Sequence, residues 1–229
     1  MSQHYCGRQI GDVRILPILF NTEMVRAILE DRKDVTRRVV KDYDKYERLL
    51  GIELKFPRQV YKAFKRPYIP GDVLYVRETW FKDTGRFMYR ADYSDTEKFY
   101  IDGKEIKIRW RPSIHMPKEA ARIFLRVTDV RAERLQNISF EDARREGVKP
   151  RGNAAGCRFC AEPPYFPECD YDHCDNYKGL LGQRYLLPFI DLWDSTVNPE
   201  NRQRYGWDAN PWVWRTEFER CEKPEGFDG

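Results

Sequence analysis

The chain has 229 residues, with 41 basic against 37 acidic side chains and a formal net charge of +4, so it is long enough to bury an ordinary core and carries no polybasic excess. No apolar run reaches the length of a membrane-spanning helix, and the N-terminus lacks the basic-then-apolar pattern of a signal peptide. A cytoplasmic protein with no membrane segment is therefore expected. The charge balance permits a nucleic-acid or nucleotide ligand without requiring one, and 6 Trp, 14 Tyr and 13 Phe supply aromatic bulk for a β-rich core.

Residues 1–12 show no periodicity and read as a loosely held arm. The apolar run Val13 to Phe20 has the length of a buried strand, with Pro17 arguing for an edge or a bulge. Thr22 offers a helix N-cap, and Met24, Val25, Ile28 and Leu29 recur at helical spacing, which predicts a short core-packed helix over 23–32. That helix delivers Arg32-Lys33-Asp34-Val35-Thr36-Arg37-Arg38. On the turn where a helix ends, a spacing of three brings Lys33 and Thr36 to one side. If burial or the neighbouring Arg residues lower its proton affinity, the Lys33 amine can take the Thr36 proton and make an oxygen nucleophile. The same seven residues also suit a solvated basic cap that only complements the macrodipole.

Residues 41–69 are rich in Lys, Tyr and Asp, contain Pro57 and Pro67, and read as a partly helical insertion. Pro70-Gly71-Asp72 is a turn, and Val73 to Trp80 is the clearest strand. Asp83-Thr84-Gly85 breaks it, and Phe87 to Ala91 can return as the second arm of a hairpin. Ile106 to Trp110 alternates as a strand. Residues 111–117 form an extended linker, because each proline biases the residue before it away from helix. His115, alone there, reads as a packed or surface residue. Ala121 to Val127 begins a long strand that Thr128 to Leu135 prolongs.

Ser139 with Asp142 has the spacing of a capping box, and Gly147 supplies a stop, which predicts a short helix over 140–146. Its last residue is Glu146, a carboxylate at the negative end of the macrodipole, where the placement costs stability unless a cation offsets it. Arg144 and Arg145 could do so on the surface.

The next stretch, 148–183, differs in composition. Cys157, Cys160, Cys169 and Cys174 follow a C-x2-C-x8-C-x4-C pattern, with His173 as a substitute ligand. A pair two residues apart can grip one tetrahedral ion, and two further thiolates complete a structural zinc site with no open position. Such a loop lacks its own apolar core, so metal binding would supply its folding free energy. Pro188 suits a first turn, with Phe189, Leu192 and Trp193 at helical spacing behind it. Pro211 to Glu219 is a last strand, with Trp212, Trp214, Thr216 and Phe218 facing one way. Such a face can stack a base but is more often core.

Several β-runs, few and short helices and frequent turns suggest a small, partly open β-barrel with helices plugging its ends. Four blocks occur in order: Arg32-Lys33-x-x-Thr36-x-Arg38; Pro70-Gly71-Asp72-x-Leu74-x-Val76-Arg77-Glu78-Thr79; Ile138-Ser139-x-Glu141-Asp142-Ala143-x-x-Glu146-Gly147; and Trp207-x-x-Asn210-Pro211-Trp212-Val213-Trp214. Together they resemble the ASCH family of the PUA-like superfamily, most closely its longer phage and prophage members. The resemblance runs from about residue 14 to 220, outside the insertions.

It implies a mainly β, α+β fold: one PUA-like domain over 13–220, with insertions at about 41–69 and 148–183 and tails at 1–12 and 221–229. It also implies a nucleobase-sized cleft. The superfamily generally recognises RNA or modified nucleobases. A shorter bacterial ASCH subgroup hydrolyses the acetamide of N4-acetylcytidine with a Lys, a Thr three residues later and a Glu on a later helix. Those positions match Lys33, Thr36 and Glu146 here, while Asp34 stands where the subgroup tends to have Thr. Arg32, Arg37 and Arg38 would bind substrate or nucleic acid, with Glu78 a further candidate. The expected function is recognition or hydrolysis of a modified pyrimidine nucleoside or RNA, with structural zinc and no organic cofactor. The alternatives are a non-catalytic nucleic-acid-binding protein and a protein-interaction adaptor that uses the zinc loop.

Overall fold

A computed structural model describes residues 13–101, 104–150 and 175–227. They form an α+β structure. Its strands are β1 (Ile15–Leu19), β2 (Val35–Val39), β3 (Val73–Arg77), β4 (Trp80–Asp83), β5 (Arg86–Tyr89), β6 (Phe99–Ile101), β7 (Lys104–Ile106), β8 (Phe124–Arg134) and β9 (Trp212–Cys221). The helices are α1 (Thr22–Leu29), α2 (Tyr43–Leu50), α3 (Pro57–Ala63), α4 (Phe140–Arg145), α5 (Asp175–Thr196) and α6 (Arg202–Tyr205), joined by short 3-10 turns. The largest sheet has the order β1-β3-β8-β9-β2, and no strand pair closes it into a barrel among the described residues. No helix among them is long and apolar enough to cross a membrane.

The chain divides into two compact units. The first comprises Met1–Arg26, Pro67–Val130 and Thr216–Gly229. In it β1 runs parallel to β3, from Ile15 opposite Val73 to Leu19 opposite Arg77, and β3 pairs antiparallel with β8. The turn before β3 is fixed by Asp72, which accepts the Ile69 N–H at 2.8 Å and pairs with Arg14. The Asn21 side chain, rather than Thr22, caps α1, accepting the Met24 N–H at 2.8 Å, because the helix starts at Thr22 and leaves Asn21 in the N-cap position. The hairpin β4–β5 turns at Thr84 and Gly85, both at positive φ.

The strand expected over 106–110 is not formed. Strand β7 ends at Ile106, because Trp110 turns onto Tyr93 and Phe99 at 5.8 and 6.1 Å between ring centroids. Arg111 then exchanges backbone hydrogen bonds of 2.7 and 3.1 Å with Trp80.

The second unit comprises Ala27–Arg66 and Arg131–Arg215. Its core gathers Leu135, Ile138, Ala143, Val148, Phe189, Trp193 and Val213. Helices α2 and α3 occupy the stretch read as a partly helical insertion. Strand β9 is core at its start: the Trp212 indole donates to the Leu54 carbonyl at 2.9 Å, and Trp214 lies 5.7 Å from the Tyr61 ring. Helix α5 begins at Asp175, so Pro188 lies inside it and not in its first turn. Packing of Phe189 and Trp193 outweighs the hydrogen bond that the proline removes.

Candidate active site

Helix α1 stops earlier than its apolar spacing predicts. Asp31 turns to a left-handed conformation (φ 54°), and the Arg32 and Lys33 N–H groups both fold back to the Ala27 carbonyl at 2.8 and 3.1 Å. Lys33 therefore leaves the helix and enters an extended segment that runs into β2. There it forms an antiparallel bridge with Glu146. Lys33 and Thr36 are not brought together by a helical turn, because the chain is extended between them.

Glu146 arrives from α4. Ser139 caps that helix, its hydroxyl accepting the Asp142 N–H at 3.1 Å, and Glu146 occupies the C-cap. The next residue, Gly147, has a φ of 86°, and a Cβ there would stand 2.6 Å from the Ala27 Cβ and 2.9 Å from the Lys33 Cβ. Only glycine satisfies both the backbone and the close approach that seats Glu146 against Lys33.

Lys33, Thr36, Arg37 and Glu146 are 3, 1, 2 and 4% exposed, so their interactions are made out of water. The Lys33 Nζ donates to the Glu146 Oε2 at 2.7 Å, the Glu146 carbonyl at 2.9 Å and the Val35 carbonyl at 2.7 Å. Three acceptors match the three N–H bonds of an ammonium, so the resting group is the cation. Burial nevertheless pushes the amine below its ordinary value, the Glu146 carboxylate pulls it part of the way back, and Arg38 and Arg37 push it down again. The macrodipole cost at Glu146 is thus offset from inside, by Lys33 and by Arg37 at 3.0 Å, and not by surface arginines.

Arg37 is spent on carboxylates. It donates to Glu133 at 2.8 Å, Asp142 at 2.6 Å and Glu146 at 3.0 Å. Asp142 also receives a two-pronged pair from Arg215 at 2.9 and 2.8 Å. Burial raises its carboxyl, but the hydrogen bonds from Arg215 and the charge and hydrogen bond of Arg37 outweigh that and hold it at about 2.

Neighbouring residues of a strand face opposite sides, so Thr36 points away from the side on which Arg37 meets Glu146. Its hydroxyl is buried and makes no hydrogen bond among the described residues, and none joins it to Lys33. Yet the carbonyl that Lys33 holds, that of Val35, belongs to the peptide bond leading into Thr36.

Arg32 is held by Glu30 at 2.7 Å and the Gly147 carbonyl at 2.5 Å, and Arg38 donates to the Arg37 carbonyl at 3.3 Å. Glu78 belongs to the first unit, where Arg122 grips it at 2.9 and 3.1 Å and also holds Asp92. Burial pushes the Glu78 carboxyl up, against the pull of Arg122. Cys157, Cys160, Cys169 and Cys174, and His173 with them, lie outside the described residues.

Sequence reasoning missed Glu133, Asp142 and Arg215 as members of this cluster. Arg215 carried a signal: a charge set among the aromatic residues of a core strand requires a buried counter-charge. No family model, no curated protein and no solved structure matches the chain.

Proposed function

We propose that the chain is a PUA-like ASCH protein that hydrolyses the N4-acyl amide of a modified cytidine, with Thr36 as nucleophile and Lys33 and Glu146 as the proton-carrying couple. One observation carries this reading: a buried threonine hydroxyl with no hydrogen-bond partner among the described residues stands one peptide away from a buried amine that is itself 2.7 Å from a carboxylate. Leaving such a hydroxyl unpaired costs about 1–3 kcal/mol, a cost that a bound substrate or water would relieve.

The chemistry balances within the cluster. Lys33 passes a proton to Glu146 across their hydrogen bond and becomes a neutral amine. The amine takes the Thr36 proton through a bridging water, since the two side chains leave the strand on different sides, as the hydroxyl oxygen bonds to the acyl carbon. The carbon–N4 bond breaks, and protonated Glu146 delivers its proton to the departing nitrogen. Water then cleaves the threonine ester, releases the carboxylic acid and restores Thr36. Arg37 orients Glu146 and touches no reacting atom, so it is a positioning residue. The spacing of the four cysteines supports a structural zinc site with no open coordination position and so no part in this chemistry.

The test is cytidine release from N4-acetylcytidine and related N4-acyl nucleosides by the intact protein and by Lys33→Met, which keeps the side-chain volume. Turnover by the first and not the second supports the reading, and equal turnover by both removes Lys33 from it. Recognition of a modified base or RNA without turnover is favoured by one observation, the missing hydrogen bond between Thr36 and Lys33. Under that reading neither protein turns over, and both bind RNA with an affinity that falls as salt rises.

A further inference from the structure

The bridge between residues 32–34 and 145–147 has two faces. Lys33 and Glu146 point inward, while Arg32, Asp34 and Arg145 line a groove of about 380 Å³ completed by Arg144, Lys149 and Tyr185 among others. The groove is therefore on the opposite side of the bridge from the buried couple, and the reaction above leaves it without a role.

Its charges are unequally committed. Arg145 donates to Asp34 at 2.8 Å, and Arg32 is held by Glu30 and the Gly147 carbonyl. Arg144 and Lys149 are exposed, and neither forms an ion pair among the described residues. Four basic side chains line the groove against two acidic ones, Asp31 and Asp34. Half-buried Tyr185, anchored on the core of its unit, adds an aromatic wall beside this excess. A space of this volume suits a ligand the size of a single nucleotide. Arg and Lys supply charge-assisted hydrogen bonds to a phosphate, and a tyrosine ring supplies a face for a base.

We propose that this groove is a second ligand site, one that binds a nucleoside monophosphate with its phosphate on Arg144 and Lys149 and its base against Tyr185. The site does not depend on whether the buried couple hydrolyses anything.

Calorimetric titration of the full chain at low salt with uridine 5′-monophosphate, uridine and inorganic phosphate tests it. The nucleotide binds about ten-fold or more tightly than uridine, as two charge-assisted contacts allow. The double variant Arg144→Glu with Lys149→Glu abolishes that difference, and Arg144→Lys with Lys149→Arg keeps it. Tyr185→Ala weakens the nucleotide and leaves inorganic phosphate unchanged, which keeps the proposal testable should the charge reversal disturb folding.

Equal affinity for nucleotide and nucleoside overturns the proposal, as does a difference that survives charge reversal. Inorganic phosphate bound as tightly as the nucleotide overturns the base contact. An oligoribonucleotide that binds more tightly than the monophosphate, with a steeper salt dependence, reassigns the groove to a nucleic-acid chain and overturns the mononucleotide assignment.

Discussion

Thr36 and Gly147 carry the sharpest consequences for single residues. Thr36→Val keeps the shape of the side chain and removes a hydroxyl that has no hydrogen bond among the described residues, so it should leave stability unchanged or raise it by about 1 kcal/mol in urea denaturation. A loss of more than about 1 kcal/mol would mean that the hydroxyl is paired in solution. Gly147→Ala should cost about 1–3 kcal/mol, because the new Cβ meets Ala27 and Lys33 under 3.0 Å at a positive φ. A neutral result would contradict the tight seating of Glu146. At this scale the sequence was partly legible. The spacing drew attention to Lys33 and Thr36, and an acid at a helix C-terminus marked Glu146 as odd, but the partners that explain Glu146 lie more than a hundred residues away. Local pattern does not encode which cation arrives.

Strand β2 and helix α4 meet through Arg37, Lys33, Asp142 and Glu146, so the register of one element fixes the side chains of the other. Their pairing makes stability depend on pH in a defined direction. The Asp142 carboxyl falls from its ordinary 3.8 to about 2 in the folded state, so its contribution is complete above 3.8 and is lost as pH falls through about 2. Acid titration of the folded fraction should therefore show a loss over that window that Asp142→Asn flattens, while the variant is less stable near neutrality because Arg37 and Arg215 lose a shared partner. An unchanged acid limb would exclude Asp142 as its source.

Periodicity located α1, α4 and the long β8, and the turn at 83–85 marked a hairpin, but the single strand expected over 73–80 divides into β3 and β4, which pair with different partners. It failed where tertiary contacts override local preference. Trp110 leaves a strand pattern for an aromatic cluster, and α5 runs through Pro188 to pack Phe189 and Trp193. The capping box was half formed, since the Asp142 carboxylate goes to arginines and not back to the helix end.

For the whole molecule, the α+β class followed from short helices among many β-runs, whereas the strand order β1-β3-β8-β9-β2 depends on pairings between segments far apart in sequence, which no local signal specifies. The cysteine spacing makes its own prediction. Protein purified without added metal should carry close to one equivalent of zinc, and less than about half an equivalent would contradict a stably filled site. Under the proposed function the cluster around Lys33 serves catalysis and not packing alone. The most direct test is cytidine release from N4-acetylcytidine by the intact chain and by Thr36→Val, read beside the stability of each. The expected result is turnover by the intact chain and none by a variant that is at least as stable. Turnover that survives in Thr36→Val, or no turnover by either protein, would contradict it.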